Sequence, residues 1–226
     1  MKREIIITSD GSTTIHLPDW NEQYHSKHGA IQEAYHVFIK SGLALQKKEE
    51  ISILEIGFGT GLNCFITFLE RKSESIKKIN YVGVEAYPVI NEEVAKLNYV
   101  AELKAEKQQT IFDNMHGFSW DKKHEITADF SLTKRQQFFK DIDDKNQFDL
   151  IYFDAFAAEH QPDLWTEAIF KSMFEALQDN GILVTYCAKG SVRRAMQAVG
   201  FTVERLAGPP GKREMLRATK RTEELK

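Results

Sequence analysis

Three glycines alternate with other residues in segment 57–61 (GFGTG), directly after a short apolar run. Glycine allows a sharp backbone turn and lets a ligand approach the main chain closely. An acid, Glu85, ends the next apolar run, 28 residues beyond Gly57. A carboxylate at that position can accept hydrogen bonds from the ribose hydroxyls of an adenosine. The pattern therefore predicts a ligand that contains an adenosine group.

The spacing of the glycines distinguishes between two kinds of adenosine ligand. They follow G-x-G-x-G, whereas nicotinamide- and flavin-binding proteins use G-x-G-x-x-G. Glu55, in the apolar run before the glycines, can engage the methionine ammonium of S-adenosylmethionine (SAM) through water, but it would repel a pyrophosphate. SAM is therefore the predicted cofactor. The alternatives are an ordinary strand-to-helix turn and a nucleotide-binding oxidoreductase.

A second candidate site follows the apolar run 148–153, where Asp154 and Phe156 stand. Ligands of open α/β sheets bind at the carboxyl ends of strands, so these side chains are expected to face the methyl acceptor. An alkylamine has a pKa of about 10, like lysine, and must lose a proton before it attacks. Asp154 can take that proton and position the nitrogen, and Phe156 can stack on a base. The alternative makes Asp154 a turn cap and Phe156 a core residue.

The surrounding pattern alternates strands with helices. Residues 5–17 predict a hairpin, and 29–45 predict a helix. After residue 50, apolar runs alternate with helical patterns, while 108–127 remains unassigned. The sequence predicts an α/β fold with a Rossmann-like, mostly parallel seven-stranded sheet, as in class I SAM-dependent methyltransferases. The short loop before the last strand predicts that this strand is antiparallel and at the edge.

Length and composition limit the class of protein. With 226 residues, 42% hydrophobic and 28% charged, the chain predicts one globular domain over 1–226, with an N-terminal extension (1–48) and a core (50–220). No apolar run reaches the roughly 20 residues that cross a bilayer, and the start does not resemble a signal peptide. We therefore expect a cytoplasmic protein without a membrane partner. His25 and His28 lack further ligands nearby, which predicts no metal.

Charge is distributed unevenly along the chain. The formal net charge is −3, which argues against a strongly basic nucleic-acid binder. However, ten Lys and Arg stand against four Asp and Glu in 189–226. A basic face on an acidic body suits RNA phosphates, and a solvated surface is the alternative.

Four groups of residues carry a resemblance to one family. They are 24–30 (YHSKHGA) with Glu33 and 36–38, 54–63 (LEIGFGTGLN), 154–157 (DAFA) with 161–166 (QPDLWT), and 192–194 with 200–201 and 211–215 (GKREM). In this order the chain resembles the tRNA 5-(aminomethyl)-2-thiouridine methyltransferase family (MnmD), the methyltransferase half of bifunctional MnmC. Many methyltransferases share the glycine loop, whereas the Asp-Ala-Phe and Lys-Arg-Glu-Met segments are more specific.

The resemblance implies methyl transfer from SAM to the aminomethyl nitrogen of a tRNA wobble uridine, so that the partner is the anticodon region of tRNA. It implies that Asp154 is catalytic. We expect the cofactor to contact Gln32, Glu33, Glu55, Gly57, Gly59, Gly61, Asn63, Glu85, Ala86 and, at the adenine, Gln137 or its neighbour Gln136. We expect the substrate to contact Tyr24, Phe156, Arg193, Lys212 and Arg213.

Two further expectations concern the extent and the class of the protein. Some family members carry a flavin-dependent oxidase domain, and none is expected in this chain, because the sequence ends soon after the matching segments. The alternatives to a tRNA enzyme are a methyltransferase of a small-molecule or protein amine, and a non-catalytic RNA-binding protein that keeps the fold.

Overall fold

The N-terminal extension forms a small antiparallel sheet and a helix in the computed structural model, which describes residues 2–72 and 76–221. Its strands are β1 (Glu4–Ile7), β2 (Thr13–Leu17) and β3 (Glu22–Gln23). The predicted hairpin is confirmed, and β3 adds to it. Helix α1 (Ala30–Ala34) continues in wider π-type turns over Tyr35–Lys40 and ends before a 3-10 turn, so the helix predicted over 29–45 is divided.

Eight further strands and six helices follow in the described part of the chain. The strands are β4 (Glu50–Ile56), β5 (Lys78–Val84), β6 (Lys123–Thr127), β7 (Phe130–Arg135), β8 (Phe148–Phe153), β9 (Leu177–Thr185), β10 (Thr202–Ala207) and β11 (Glu214–Thr219). The helices are α2 (Leu62–Leu69), α3 (Asn91–Val94), α4 (Tyr99–Glu102), α5 (Gln109–Gly117), α6 (Glu167–Ala176) and α7 (Gly190–Ala198).

The eight strands form one sheet in the order β10-β11-β9-β8-β4-β5-β7-β6. Strands β9, β8, β4, β5 and β7 run parallel. The predicted number of seven strands is wrong because β6, which pairs antiparallel with β7, lies in the unassigned segment. Its residues Lys123–Thr127 are mostly polar and half-buried or exposed, so they show no apolar alternation.

The last strand is antiparallel as predicted, but it is not at the edge. Strand β11 pairs with β9 on one side and with β10 on the other, so β10 is the edge strand. The short loop between β10 and β11 explains the hairpin, and pairing of β11 with β9 inserts the second strand of that hairpin into the sheet.

Apolar layers cover both faces of the parallel strands. All six residues of β8 are buried. On one face, Phe65 of α2 belongs to the core cluster, and on the other Phe170 and Met173 of α6 do. Burial of each such side chain contributes roughly 2 to 3 kcal/mol, so the strand ends have a rigid base. No helix in the described residues has both the length and the apolar character to span a bilayer.

Register brings three strand ends together at one edge of the sheet. Ile56, the last residue of β4, pairs with Val84 of β5 and with Phe153 of β8. The next residues are therefore neighbours, and the Asp154 amide donates to the Ile56 carbonyl at 2.9 Å. This edge contains the predicted ligand site.

Candidate active site

A cavity of about 1290 Å³ opens at the carboxyl ends of β4, β5 and β8. Its wall combines the glycine loop, the segment after β8, the N-terminal extension and the loop before β11. Sites for one small molecule usually measure about 300 to 1,000 Å³. The cavity is therefore large enough for a SAM-sized molecule together with part of a second substrate.

Many predicted site residues lie in this wall. They include predicted cofactor contacts, the predicted catalytic residue and predicted substrate contacts. These residues are Tyr24, Glu33, Gly57, Gly59, Glu85, Ala86, Asp154, Phe156, Lys212 and Arg213. The structure thus brings residues that are far apart in the sequence into one cavity.

The backbone conformation of the glycine loop favours glycine. Gly57 and Gly59 have φ values of 91° and 46°, in the region that disfavours other residues. A Cβ on Gly57 would also lie 2.5 Å from the Asp154 carbonyl oxygen. The loop can therefore pack directly against the segment that carries Asp154 only if this position is glycine.

Glu85 is held at the end of β5 by two main-chain groups. Its Oε2 accepts from the Gly59 amide at 3.1 Å, and its Oε1 accepts from the Tyr87 amide at 2.9 Å. Each carboxylate oxygen has capacity for a further hydrogen bond. The position of Glu85 in the wall, beside the half-buried backbone of Gly59, suits the ribose hydroxyls of SAM.

The end of β7 contributes aromatic residues instead of the predicted glutamines. Phe138 and Phe139 lie in the wall, whereas Gln136 and Gln137 do not. The Gln136 amide donates to Asp121 Oδ1 at 3.2 Å, outside the cavity wall.

Glu55 and Asn63 lie behind the wall. The Glu55 side chain is completely buried, and Asn63 Nδ2 donates both to Glu55 Oε1 at 3.0 Å and to Asp154 Oδ2 at 2.8 Å. Burial raises the pKa of Glu55 well above its usual range, although the Asn63 hydrogen bond opposes the shift. Glu55 does not line the cavity, since its Oε1 accepts from Asn63 of α2, and its contact with the cofactor stays a prediction. One amide ties Asp154 to the base of the site.

Three other predicted residues also lie outside the wall. Gln32 is exposed, and its amide donates to Asp10 Oδ2 at 3.0 Å. A Cβ on Gly61 would meet His116 Nε2 at 2.9 Å, so this glycine serves the packing of α5. Arg193 is half-buried on α7.

Asp154 has the electrostatic surroundings of a proton-transfer group. Its side chain is only 7% exposed. Burial, together with the negative charge of Glu33, raises the pKa of Asp154 to about 7, while the Asn63 hydrogen bond and the charge of Lys212 oppose the shift. At neutral pH this carboxyl group therefore both accepts and releases a proton readily.

Aromatic side chains form the wall beyond Asp154. The Phe156 ring meets Tyr24 edge-on at 4.9 Å and Trp20 at 5.9 Å between ring centroids. The Tyr186 hydroxyl donates to the Ala155 carbonyl at 2.8 Å, and the Lys212 ammonium lies 3.7 Å from the centre of the Tyr186 ring. Such surfaces suit the stacking of a planar base.

Sequence reasoning missed several residues of this wall. Trp20 and Tyr186 stand in no motif, and only the position of Tyr186 at the end of an apolar run marks it. His25 lacks metal ligands nearby in the sequence, yet its Nδ1 lies 3.9 Å from Asp154 Oδ2. Its signal was its place in the segment that carries the family resemblance.

Comparison with known proteins agrees with the resemblance. The bifunctional protein MnmC of tRNA 5-methylaminomethyl-2-thiouridine biosynthesis from Burkholderia thailandensis is 29% identical over 224 residues, which cover 94% of this chain and 34% of that protein. The protein of the same name from Cupriavidus metallidurans is 28% identical over 229 residues, covering 94% and 33%. The chain thus spans about a third of the length of these curated relatives.

Solved structures share the fold. MNMC2 from Aquifex aeolicus superposes with a TM-score of 0.78 at 23% identity and covers 98% of this chain and 71% of that one. Spermidine synthase from Thermotoga maritima gives 0.53 at 16% identity, covering 97% and 74%. Residues 97–221 match the family described as S-adenosyl-L-methionine-dependent methyltransferase. Because this match includes more than half of the sequence, the chain belongs to the S-adenosyl-L-methionine-dependent methyltransferase family.

Proposed function

We propose that the protein methylates the aminomethyl nitrogen of 5-aminomethyl-(2-thio)uridine at the wobble position of tRNA, giving 5-methylaminomethyl-(2-thio)uridine. The names of its relatives support this substrate. The observation that carries the proposal is the location of Asp154. It is a buried carboxyl group with a pKa of about 7, in the same cavity as Gly59 and Glu85. A carboxyl group with this pKa beside a methyl donor can take the proton of an alkylammonium near neutral pH.

Bound SAM supplies a methyl group made electrophilic by a positively charged sulfur. In the proposed reaction, Asp154 accepts a proton from the substrate ammonium, which frees the lone pair of the nitrogen. That lone pair forms the new N–C bond while the S–C bond breaks and its electrons pass to sulfur. S-adenosylhomocysteine and the secondary ammonium are the products, and Asp154 later releases its proton to solvent.

The residues around Asp154 position the acceptor. Phe156, Tyr24 and Trp20 offer a surface on which the pyrimidine stacks, so that the aminomethyl group points toward Asp154. The base must leave its own stack to enter the cavity, as in other enzymes that act on a nucleobase. An apolar wall also excludes water and thereby favours the neutral amine.

Exposed cations at the rim are the proposed contacts for the anticodon region. Lys27, Lys140 and Arg213 are exposed and belong to the cavity wall. Lys212 pairs with Glu33 inside the cavity, so its predicted contact with the substrate would lie there and not at the rim. We also propose that the protein acts in the cytoplasm, where its tRNA substrate would be found.

A direct test incubates the protein with SAM and tRNA that carries aminomethyluridine, followed by nucleoside mass spectrometry. We expect the wobble nucleoside to gain one methyl group. Spermidine and a lysine peptide serve as competing acceptors, and methylation of either in preference to the tRNA would refute the proposal. The Asp154→Ala variant should bind SAM in calorimetry but show no turnover.

A further inference from the structure

We propose that His25 is a positioning residue that turns an Nδ1–H toward Asp154 and so orients its carboxyl group. Thr60 and Tyr99 hold the imidazole in the tautomer that this requires. The consequence for methyl transfer rests on the proposed function, whereas the tautomer and its effect on the carboxyl group do not.

Three contacts define the position of His25, which follows β3 in the N-terminal extension. Its amide donates to Thr14 Oγ1 at 3.0 Å, and its Nε2 lies 2.8 Å from Thr60 Oγ1 in the glycine loop. Its Nδ1 lies 3.9 Å from Asp154 Oδ2. The buried ring therefore stands between the glycine loop and the carboxyl group, and it connects the extension to both.

The hydroxyl groups of Tyr99 and Thr60 support the tautomer with hydrogen on Nδ1. The Tyr99 hydroxyl donates to Thr60 Oγ1 at 3.1 Å. Thr60 accepts this proton, so its own hydroxyl hydrogen is free to point at His25 Nε2. A neutral imidazole carries one N–H, and a nitrogen that accepts cannot also donate. In the arrangement that we propose, Thr60 donates to Nε2. Nδ1 then carries the hydrogen and faces Asp154.

The charge state of His25 supports a donor role over a basic one. Burial lowers the pKa of His25 to about 4, although Glu33 and Asp10 oppose the shift and the Lys212 charge adds to it. The groups that face the ring from the neighbouring elements are these three, the carboxyl group of Asp154, and the neutral hydroxyls of Thr60 and Tyr99. Near neutral pH the ring is uncharged, so it does not compete with Asp154 for the proton of the substrate.

The nitrogen atoms of Asn63 and His25 both face the same carboxyl oxygen of Asp154. Asn63 Nδ2 donates to Asp154 Oδ2 at 2.8 Å, and His25 Nδ1 approaches this atom also. Among the described residues, no hydrogen bond reaches Oδ1, which is left for the substrate amine. The distance of 3.9 Å exceeds a hydrogen bond, but contacts of this kind shorten when substrate closes a site. A donor to the carboxylate favours its charged form and lowers its pKa.

The tautomer is tested without any substrate. Nitrogen NMR of the ¹⁵N-labelled imidazole distinguishes the nitrogen that carries the proton. We expect Nδ1–H in the wild-type protein near neutral pH, and loss of this preference in Thr60→Val, which cannot donate to Nε2. A wild-type spectrum with the proton on Nε2, or on both nitrogens, overturns the proposal.

Two substitutions separate positioning from packing. The amide nitrogen of Asn reaches about as far as Nδ1, and that of Gln about as far as Nε2. We therefore expect His25→Asn to keep the Asp154 titration seen by carbon NMR, whereas His25→Gln raises its midpoint by about half a unit or more. With tRNA as substrate, His25→Gln should lower kcat about tenfold, with unchanged SAM affinity.

The outcomes distinguish the two proposals. Equal effects of both variants on Asp154 titration, or loss of SAM affinity and thermal stability in both, would assign His25 a purely structural role. If wild-type protein leaves tRNA unmodified, the proposed function fails, and the two NMR experiments still decide the role of His25.

Discussion

Glu33 Oε2 and Lys212 Nζ lie 2.6 Å apart and join α1 to the loop before β11 across the cavity wall. The Glu33 side chain is 7% exposed and that of Lys212 is 32% exposed. The two charges act on Asp154 in opposite directions, since Glu33 raises its pKa and Lys212 lowers it. The balance of these two charges therefore helps to set the pKa of Asp154.

Replacing Lys212 should lower the stability of the fold and shift the pH dependence of kcat/KM. In Lys212→Met, Glu33 remains buried without its partner, which should cost about 1 to 3 kcal/mol of unfolding free energy in urea denaturation. The pKa of Asp154 should rise, so the acid limb of kcat/KM against pH should move to higher pH. The matched control is Lys77→Met, because Lys77 and Glu49 form an exposed pair that contributes little. If the acid limb of the Lys212→Met profile did not move, the proposed effect of Lys212 on the pKa of Asp154 would be refuted.

Neutralising Asp154 should abolish turnover and yet stabilise the fold at neutral pH. Its pKa of about 7 in the folded protein exceeds its ordinary value of 3.8. Between these values the folded state binds more protons than the unfolded state, so stability from this group falls as pH rises from about 4 to 7. Asp154→Asn removes this cost, at most about 4 kcal/mol for a shift of this size. The gain over wild type in urea denaturation should grow from pH 5 to pH 8.

Asp129 is the control for this prediction, because its pKa is shifted in the opposite direction. Burial raises the pKa of Asp129, but hydrogen bonds from Thr127 and Arg71 outweigh it and lower the pKa. Its contribution to stability is therefore present at neutral pH and lost as pH falls below its ordinary value of 3.8. Asp129→Asn should destabilise the fold at pH 7, so a gain there as well would show that the effect at Asp154 is not specific to its site.

The sequence identified Gly57, Glu85 and Asp154 because each follows an apolar run, and parallel strands end at the same edge of a sheet. It did not reveal that Glu55 is fully buried behind Asp154, where it accepts from Asn63, since the burial of a side chain depends on strand register and on the helix that covers the strand. Local pattern also missed Trp20, which reaches the cavity through long-range packing of the extension. Strand β6 was not predicted, because a polar edge strand shows no alternation of apolar and polar residues.

The aromatic wall should control substrate affinity separately from cofactor affinity. Removing the Phe156 ring in Phe156→Ala should raise KM for the tRNA about tenfold, since stacking of one base contributes roughly 1 to 3 kcal/mol. The SAM dissociation constant in calorimetry should stay the same. Phe118→Ala is the control, because this ring stacks on His124 outside the cavity wall. If Phe156→Ala and Phe118→Ala gave equal KM values for the tRNA, the base would not stack on this wall.

Glu85 offers the complementary test on the cofactor side. Both of its oxygens already accept main-chain N–H groups, from Gly59 and Tyr87. In Glu85→Gln, one oxygen becomes an NH₂ group, which leaves one of those N–H groups unpaired and removes the charge that a ribose hydroxyl would meet. The SAM dissociation constant should therefore rise about ten- to a hundredfold.

Turnover at saturating SAM should change little in Glu85→Gln, because Glu85 acts on binding and Asp154 on chemistry. The exposed Glu92 at the start of α3 provides the matched control, and Glu92→Gln should leave SAM affinity as it is. If Glu85→Gln instead lowered kcat without weakening SAM binding, the cofactor would not lie against β5. The methyl group would then approach Asp154 from another direction than the one that the glycine loop indicates.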